Sequence, residues 1–308
     1  MITPENDVEN IRNALLSKDP DVIINIISKR TFSQRNILID LFKKACNKDL
    51  VKEINKLLSY DNNLIEIISL LFLNEIKYDC DSLYSSLNQG NKDLSTIIEI
   101  ISTRPSDILK KIINKYSDIY NNRNIIKDIE DIKFSNDNDV IKNILISFLK
   151  NEKNENISPD LDQCHLLAVK LLNEQIKNWF NINSILCQII LNNSQMEIYY
   201  IFEIYKKISG NSIIQSINNE INEDDKNFFI EIIKAISSQK KYFAEKINKA
   251  IKDKNENIIL RIIITRQEID LEEIKKAYFQ MYNKTLINDL KNIFSGDCFK
   301  LISNLIGI

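Results

Sequence analysis

Glycine and proline are scarce, with four of each in 308 residues. Sandwiches and barrels turn their chains with these residues, so the shortage counts against an all-β fold. It also leaves no glycine loop able to cradle a phosphate. Histidine occurs once, as His165, and no nucleophile or acid is set beside it. General acid–base work needs a constellation of groups, and none is visible, so the expectation is a binding protein and not an enzyme. The five cysteines, Cys46, Cys80, Cys164, Cys187 and Cys298, form no CxxC pair and are odd in number. They read as free, mostly buried thiols of a reducing compartment. The net charge of −2 supplies no broad basic field, which argues against nucleic acid as a partner. The most apolar run, Leu64 to Leu73, contains Glu66 and is too short to span a bilayer. The first residues, Met1 to Val8, are polar and acidic and carry no signal-peptide pattern. The expected location is cytoplasmic.

What the chain does have is enough apolar residue, 44%, for a sizeable core and enough charge, 27%, for a solvated surface. Isoleucine favours strands in isolation, and it is abundant here, so periodicity has to decide the fold class. A repeat provides the periodicity. Ile26-Ile27-Ser28-Lys29-Arg30 recurs as Ile100-Ile101-Ser102-Thr103-Arg104, then Ile189-Ile190-Leu191-Asn192-Asn193, then Ile263-Ile264-Thr265-Arg266. The last residues stand 74, 89 and 73 positions apart. A second marker, a polar turn before an apolar pair, runs Lys48-Asp49-Leu50 to Ile54, Asn124-Ile125 to Ile129, Asn211-Ser212-Ile213 to Ile217, and Lys284-Thr285-Leu286 to Leu290. Its spacing is 75, 88 and 73, so two independent markers agree. The longer middle interval contains Asn151 to Asp160, a polar stretch with Pro159 that reads as a linker. On this reading four repeats divide two and two.

Inside the repeats the period is helical. Leu271, Ile274, Tyr278, Met281 and Tyr282 share one face at steps of three and four. Asp270 is placed to cap that helix, with Glu273 reaching back. The matching segment of repeat 2 starts at Pro105 and presents Leu109, Ile112, Ile113, Tyr116 and Ile119. Repeat 1 presents Leu38, Leu41, Phe42 and Ala45 after Ser33. Polar breaks give about five short helices per repeat, hence an all-α fold.

The stretch Leu260 to Leu271, followed by Ile274-Lys275, Tyr282-Asn283-Lys284-Thr285-Leu286, Ser295-Gly296-Asp297 and Leu305-Ile306-Gly307, resembles the fourth repeat of an annexin. Repeat 1 is similar through Arg30 to Arg35 and Lys48 to Leu50, repeat 2 through Arg104 and Tyr116 to Tyr120, and repeat 3 through Ile208-Ser209-Gly210. The resemblance divides the chain into annexin-like repeats at 6–74, 78–150, 161–237 and 240–308, with the linker at 151–160. It implies a curved disc of five-helix repeats whose convex face meets anionic phospholipid through calcium. In that family the ion is held by carbonyls of a Gly-x-Gly-Thr loop between the first two helices and by a distal acid, a cage of oxygens suited to a hard cation.

Every loop departs from that pattern. They read Ser17-Lys18-Asp19-Pro20, Asn88-Gln89-Gly90-Asn91-Lys92, Glu174 to Asn181, and Lys252-Asp253-Lys254-Asn255. The distal positions read Leu57, Ile132 (Asp131 with a one-residue slip) and Ile293, and only Glu220 in repeat 3 stands where the family has its acid. Calcium dependence is therefore expected to be reduced or lost, with Glu220 the residual metal ligand. All four loops carry lysine, and Lys18, Lys92, Lys177, Lys252 and Lys254 are candidate contacts to lipid phosphate. Trp179 and Phe180 join that membrane-contact set if they meet the lipid interface; the other reading folds them back into the core. Glu99 and Arg261 align with a buried pair lining the family's central channel, set against two unrelated helix charges. The leading expectation is a peripheral membrane protein binding anionic phospholipid. The alternative is a divergent annexin acting as a structural or cytoskeletal scaffold that binds protein.

Overall fold

Helix starts are written into the sequence as polar caps. The computed structural model describes residues 3–88, 93–132, 139–150, 158–220 and 226–307. Thr3, Asp19, Thr31, Asp49 and Asp61 each accept from a first-turn amide and open the five helices of the first group. These are α1 (Pro4–Ser17), α2 (Pro20–Ser28), α3 (Phe32–Cys46), α4 (Leu50–Leu57) and α5 (Asn62–Leu71). The second group is α6 (Glu75–Asn88), α7 (Leu94–Thr103), α8 (Ser106–Ile119), α9 (Ile125–Glu130) and α10 (Val140–Lys150). The third is α11 (Leu161–Asn173), α12 (Ile185–Asn192), α13 (Gln195–Ser209), α14 (Ile213–Glu220) and α15 (Lys226–Ser237), with a short 3-10 turn at Ile176–Phe180. The fourth is α16 (Gln239–Lys252), α17 (Glu256–Arg266), α18 (Leu271–Tyr282), α19 (Leu286–Leu290) and α20 (Gly296–Leu305). The described residues are thus all-α, in four sets of five.

The third helix of each set ends in the left-handed region at or next to the second sequence marker. Asn47, Gly210 and Asn283 occupy that position in α3, α13 and α18, and Asn121 and Asn122 follow α8 with positive φ. Glycine and asparagine tolerate this conformation best. Two caps differ from expectation. Thr31 with Gln34 forms the capping box of α3, two residues ahead of Ser33. Asp270 precedes α18 but makes no cap bond, because its carboxylate is held by Arg266 at 2.7 and 2.8 Å.

The helices build two compact units, Met1–Glu75 with Phe243–Ile308, and Ile76–Tyr242. The units do not divide at the linker; the first and fourth sets make one and the second and third sets the other. In the first unit α2 and α5 pack on α20, and α17 packs on α5. Polar contacts tie the two ends of the chain there: Phe32 N–H donates to Glu268 Oε1 at 2.6 Å and Tyr60 Oη to Asp297 at 2.6 Å. In the second unit α7 packs on α15 and α11 on α13 around a continuous isoleucine-rich core.

The arginines that close the first sequence marker have partners one helix upstream. Arg30 grips Asp7 at 2.6 and 2.8 Å, and Arg104 grips Asp79 at 2.7 and 2.8 Å, both through two parallel bonds. In the fourth set Arg266 lies over the Phe243 ring at 4.7 Å and turns its hydrogen bonds to Asp270. Asn193 replaces the arginine in the third set.

Candidate membrane-binding loops

The turns between the first two helices of sets one and four are built alike. After α1, the Asp19 N–H donates back to Ala14 O at 2.9 Å; after α16, the Asn255 N–H donates back to Ala250 O at 2.8 Å. Each closes its helix by a bond spanning six residues, as in a Schellman end. The residue forced into the left-handed region is a lysine both times, Lys18 at φ 58° and Lys254 at φ 52°. The next residue caps the following helix: Asp19 Oδ1 accepts from Asp21 N–H at 3.0 Å and Asn255 Oδ1 from Ile258 N–H at 3.2 Å. Lys18, Lys252 and Lys254 are all exposed. The turns are short and present the ammonium groups to solvent, with the exposed Asp253 carboxylate between Lys252 and Lys254.

The loop of set two begins at Asn88, whose Oδ1 accepts from Arg123 Nη1 at 2.8 Å, and resumes at Asp93, which caps α7. Lys92 lies outside the described residues.

The loop of set three is longer and folds inward. Both Glu174 oxygens accept from Ile185 N–H at 3.1 Å, which draws the loop's ends together. Between them the 3-10 turn carries Trp179 and Phe180 into the core, where they are 0% and 5% exposed. Trp179 meets the Tyr205 ring edge-on at 5.8 Å, and Phe180 meets Phe229 at 4.6 Å. The placement of these two aromatics at a lipid interface is therefore corrected: the tight turn puts both rings on its inner side, and burying each recovers a large apolar area. The Trp179 indole N–H has no hydrogen-bond partner. Of the expected contacts in this loop only Lys177 is exposed.

Comparison with known proteins agrees with the fold. The annexin family model matches residues 242–305. The chain is 26% identical to annexin A4 of Mus musculus over 306 residues, covering 98% of this chain and 93% of that protein. The solved structure of annexin III aligns with a TM-score of 0.85 at 22% identity, covering 100% of this chain and 94% of that one. Calcium-bound annexin (Sm)1 aligns with a TM-score of 0.82 at 20% identity, covering 99% and 90%. The chain is similar to annexins over nearly its whole length and shares their fold.

The residues of this chain at the positions aligned with the metal site fit a calcium cage poorly. In place of a distal carboxylate stand Leu57, half-buried, Ile132, 2% exposed, and Ile293, half-buried. Glu220 is exposed at the end of α14, which packs on the 3-10 turn, but the loop it would complete is closed by Glu174 and filled by Trp179. Among the described residues no three His, Cys, Asp or Glu side chains gather as a metal cluster, and no helix is long and apolar enough to cross a membrane. Glu99 is fully buried in α7 of the second unit, and Arg261 is 6% exposed in α17 of the first, so neither is a simple surface charge.

Proposed function

We infer that this annexin-like protein binds anionic phospholipid as a peripheral membrane protein, through its inter-helix loops, with calcium dependence reduced or lost. The observation that supports it is the matched pair of turns that hold exposed Lys18 and Lys254 in the left-handed position usual for glycine. A basic group near an anionic leaflet contributes roughly 1 kcal/mol. In the first unit Lys18, Lys252 and Lys254, with Asp253 between the last two, supply a weak, salt-sensitive attachment; in the second unit exposed Lys177 is the candidate contact. On this reading lysine ammonium meets lipid phosphate directly, with no bridging metal. The set-three loop contributes charge and not aromatic insertion.

Sedimentation with phosphatidylserine vesicles, in calcium or in chelator and across a salt series, tests the reading. Binding in chelator that falls steeply with salt and changes little with calcium is the expected result. Binding seen only with calcium would overturn it and return Glu220 to a ligand role. No binding in any condition would favour a protein-binding scaffold.

A further inference from the structure

Two tyrosines of the second unit stack across a pair of helices. Tyr84 lies near the end of α6, and Tyr120 is the residue that ends α8. Their ring centroids are 3.9 Å apart and their planes differ by 7°. Aromatic pairs more often stand roughly 4.5–7 Å apart. Neighbouring tyrosines here follow that habit: Tyr116 meets Tyr120 at 5.0 Å and 59°, and Tyr278 meets Tyr282 at 4.9 Å and 57°. Parallel rings at 3.9 Å bring ring carbons of Tyr84 and Tyr120 into van der Waals contact. Both rings are half-buried, so each is reachable from solvent. Arg123 holds the stack in place. Its guanidinium lies 5.4 Å from the centre of the Tyr84 ring and donates to Asn88 Oδ1 at 2.8 Å and to Asp128 Oδ1 at 3.1 Å. The end of α6 is thereby tied to the turn after α8.

The stack also has a proton acceptor. Tyr120 Oη donates to Asp81 Oδ1 at 2.5 Å. Burial and that bond raise the Tyr120 phenol above its ordinary range, so it stays protonated. A protonated phenol gives up an electron readily only if its proton leaves too, and Asp81 is placed to receive it. Asp81 is itself partly exposed and 3.4 Å from Lys77 Nζ, which gives the proton a way out to water. Tyr278 has a matching acceptor in Asp289 at 2.7 Å, but its neighbour Tyr282 is tilted and lies on the same helix. Only the Tyr84–Tyr120 pair combines parallel contact, an acceptor and a position on two different helices among these pairs.

We propose that Tyr84 and Tyr120 form an oxidative cross-linking site, at which a one-electron oxidant joins the two rings and staples α6 to α8. Each phenol gives one electron to an equivalent of oxidant and loses one proton, that of Tyr120 to Asp81 and that of Tyr84 to water. The two neutral radicals couple through a ring carbon next to each C–O group. One carbon–carbon bond forms, and the hydrogen on each of those carbons moves to its own phenolic oxygen, which restores both rings. Two electrons and two protons leave in all. The staple limits the freedom of the unfolded chain between residues 84 and 120 and so stabilises the second unit. It is independent of the lysine turns and of lipid.

Illumination of the dilute full chain with ruthenium tris-bipyridine and persulfate, which together generate a one-electron oxidant, tests the proposal. The expected product is a monomer lighter by two hydrogens, with the blue fluorescence of dityrosine and a raised urea midpoint. Its tryptic digest joins segment 78–92 to segment 116–123. Those segments also carry Tyr78 and Tyr116, so variants identify the rings. Tyr84→Phe and Tyr120→Phe each keep an aromatic ring, remove one phenol and abolish the product, while Tyr78→Phe and Tyr116→Phe retain it. Circular dichroism establishes that each variant folds. Asp81→Asn, which cannot take the proton, slows cross-linking at least about tenfold. No product, a product found only between molecules, one that persists in Tyr84→Phe or Tyr120→Phe, or one lost in Tyr116→Phe overturns the site. Cross-linking of Asp81→Asn at the parent's rate overturns the proton transfer to Asp81.

Discussion

Lysine in a left-handed helix ending costs about 1–2 kcal/mol relative to a right-handed residue, and glycine avoids that cost. Lys18 and Lys254 both bear it. Lys18→Gly and Lys254→Gly should therefore each raise stability by about 1 kcal/mol in urea unfolding, while each weakens vesicle binding about fivefold at low salt, the equivalent of roughly 1 kcal/mol. Opposite signs on the two readouts separate membrane contact from structure. Trp179 gives a second test at this scale. Buried beside Tyr205, it should emit at short wavelength in the free protein, and vesicle binding should leave that emission unchanged. Free thiols give a third. Cys80, Cys164, Cys187 and Cys298 are buried and Cys46 is half-exposed, and burial pushes the Cys187 thiol up to about 11. A thiol reagent at neutral pH should titrate Cys46 quickly and the other four only after denaturation. The cysteines were legible from composition alone. Trp179 was not, because a polar stretch of sequence does not announce a 3-10 turn whose inner side is filled by its own aromatics.

At the scale of the element, helical periodicity was enough to find the third helices, and of the faces it indicated Leu38 and Phe42, Leu109, Ile112 and Tyr116, and Leu271, Ile274 and Tyr278 are buried, while Ala45 is exposed and the buried Arg35 and Ala277 were not indicated. The far ends of those faces fray, as Met281 is 37% exposed. What periodicity could not supply was the partner of each marker arginine. Asp7 and Asp79 lie 23 and 25 residues upstream of Arg30 and Arg104, across an intervening turn, and nothing local joins them. The cap foreseen at Asp270 failed for a related reason: Arg266 lies one turn before it, and in set four Phe243 occupies the place of the upstream acid, which leaves the arginine to find another carboxylate. The Asp79–Arg104 pair is almost fully enclosed, with side chains 2% and 5% exposed. Asp79→Ala should cost about 3–5 kcal/mol by stranding the buried guanidinium, whereas Asp79→Leu/Arg104→Met should recover most of that loss. Chemical denaturation of the three proteins decides it.

For the whole molecule, the repeat period predicted the number of helices, but the polar linker between sets two and three suggested a division that the fold does not make. Helix pattern is a local property; which sets share a core depends on contacts between residues more than 200 positions apart, such as Phe32 with Glu268. Residues 76–242 contain a continuous core of their own, so that segment expressed alone should fold cooperatively. Removing residues 243–308 should instead leave α2 and α5 without their packing surfaces. Hydrogen exchange should then show protection lost in residues 3–75 and retained in the second unit.

That arrangement sets a schedule for biosynthesis. The opening 75 residues emerge from the ribosome first, yet the helices they need are made last, after 167 intervening residues. At ordinary elongation rates the delay is roughly 10–30 s. For that interval the nascent chain displays Ile23, Ile27, Leu64 and Ile68 uncovered, a window in which holding factors decide how much of the protein is recovered.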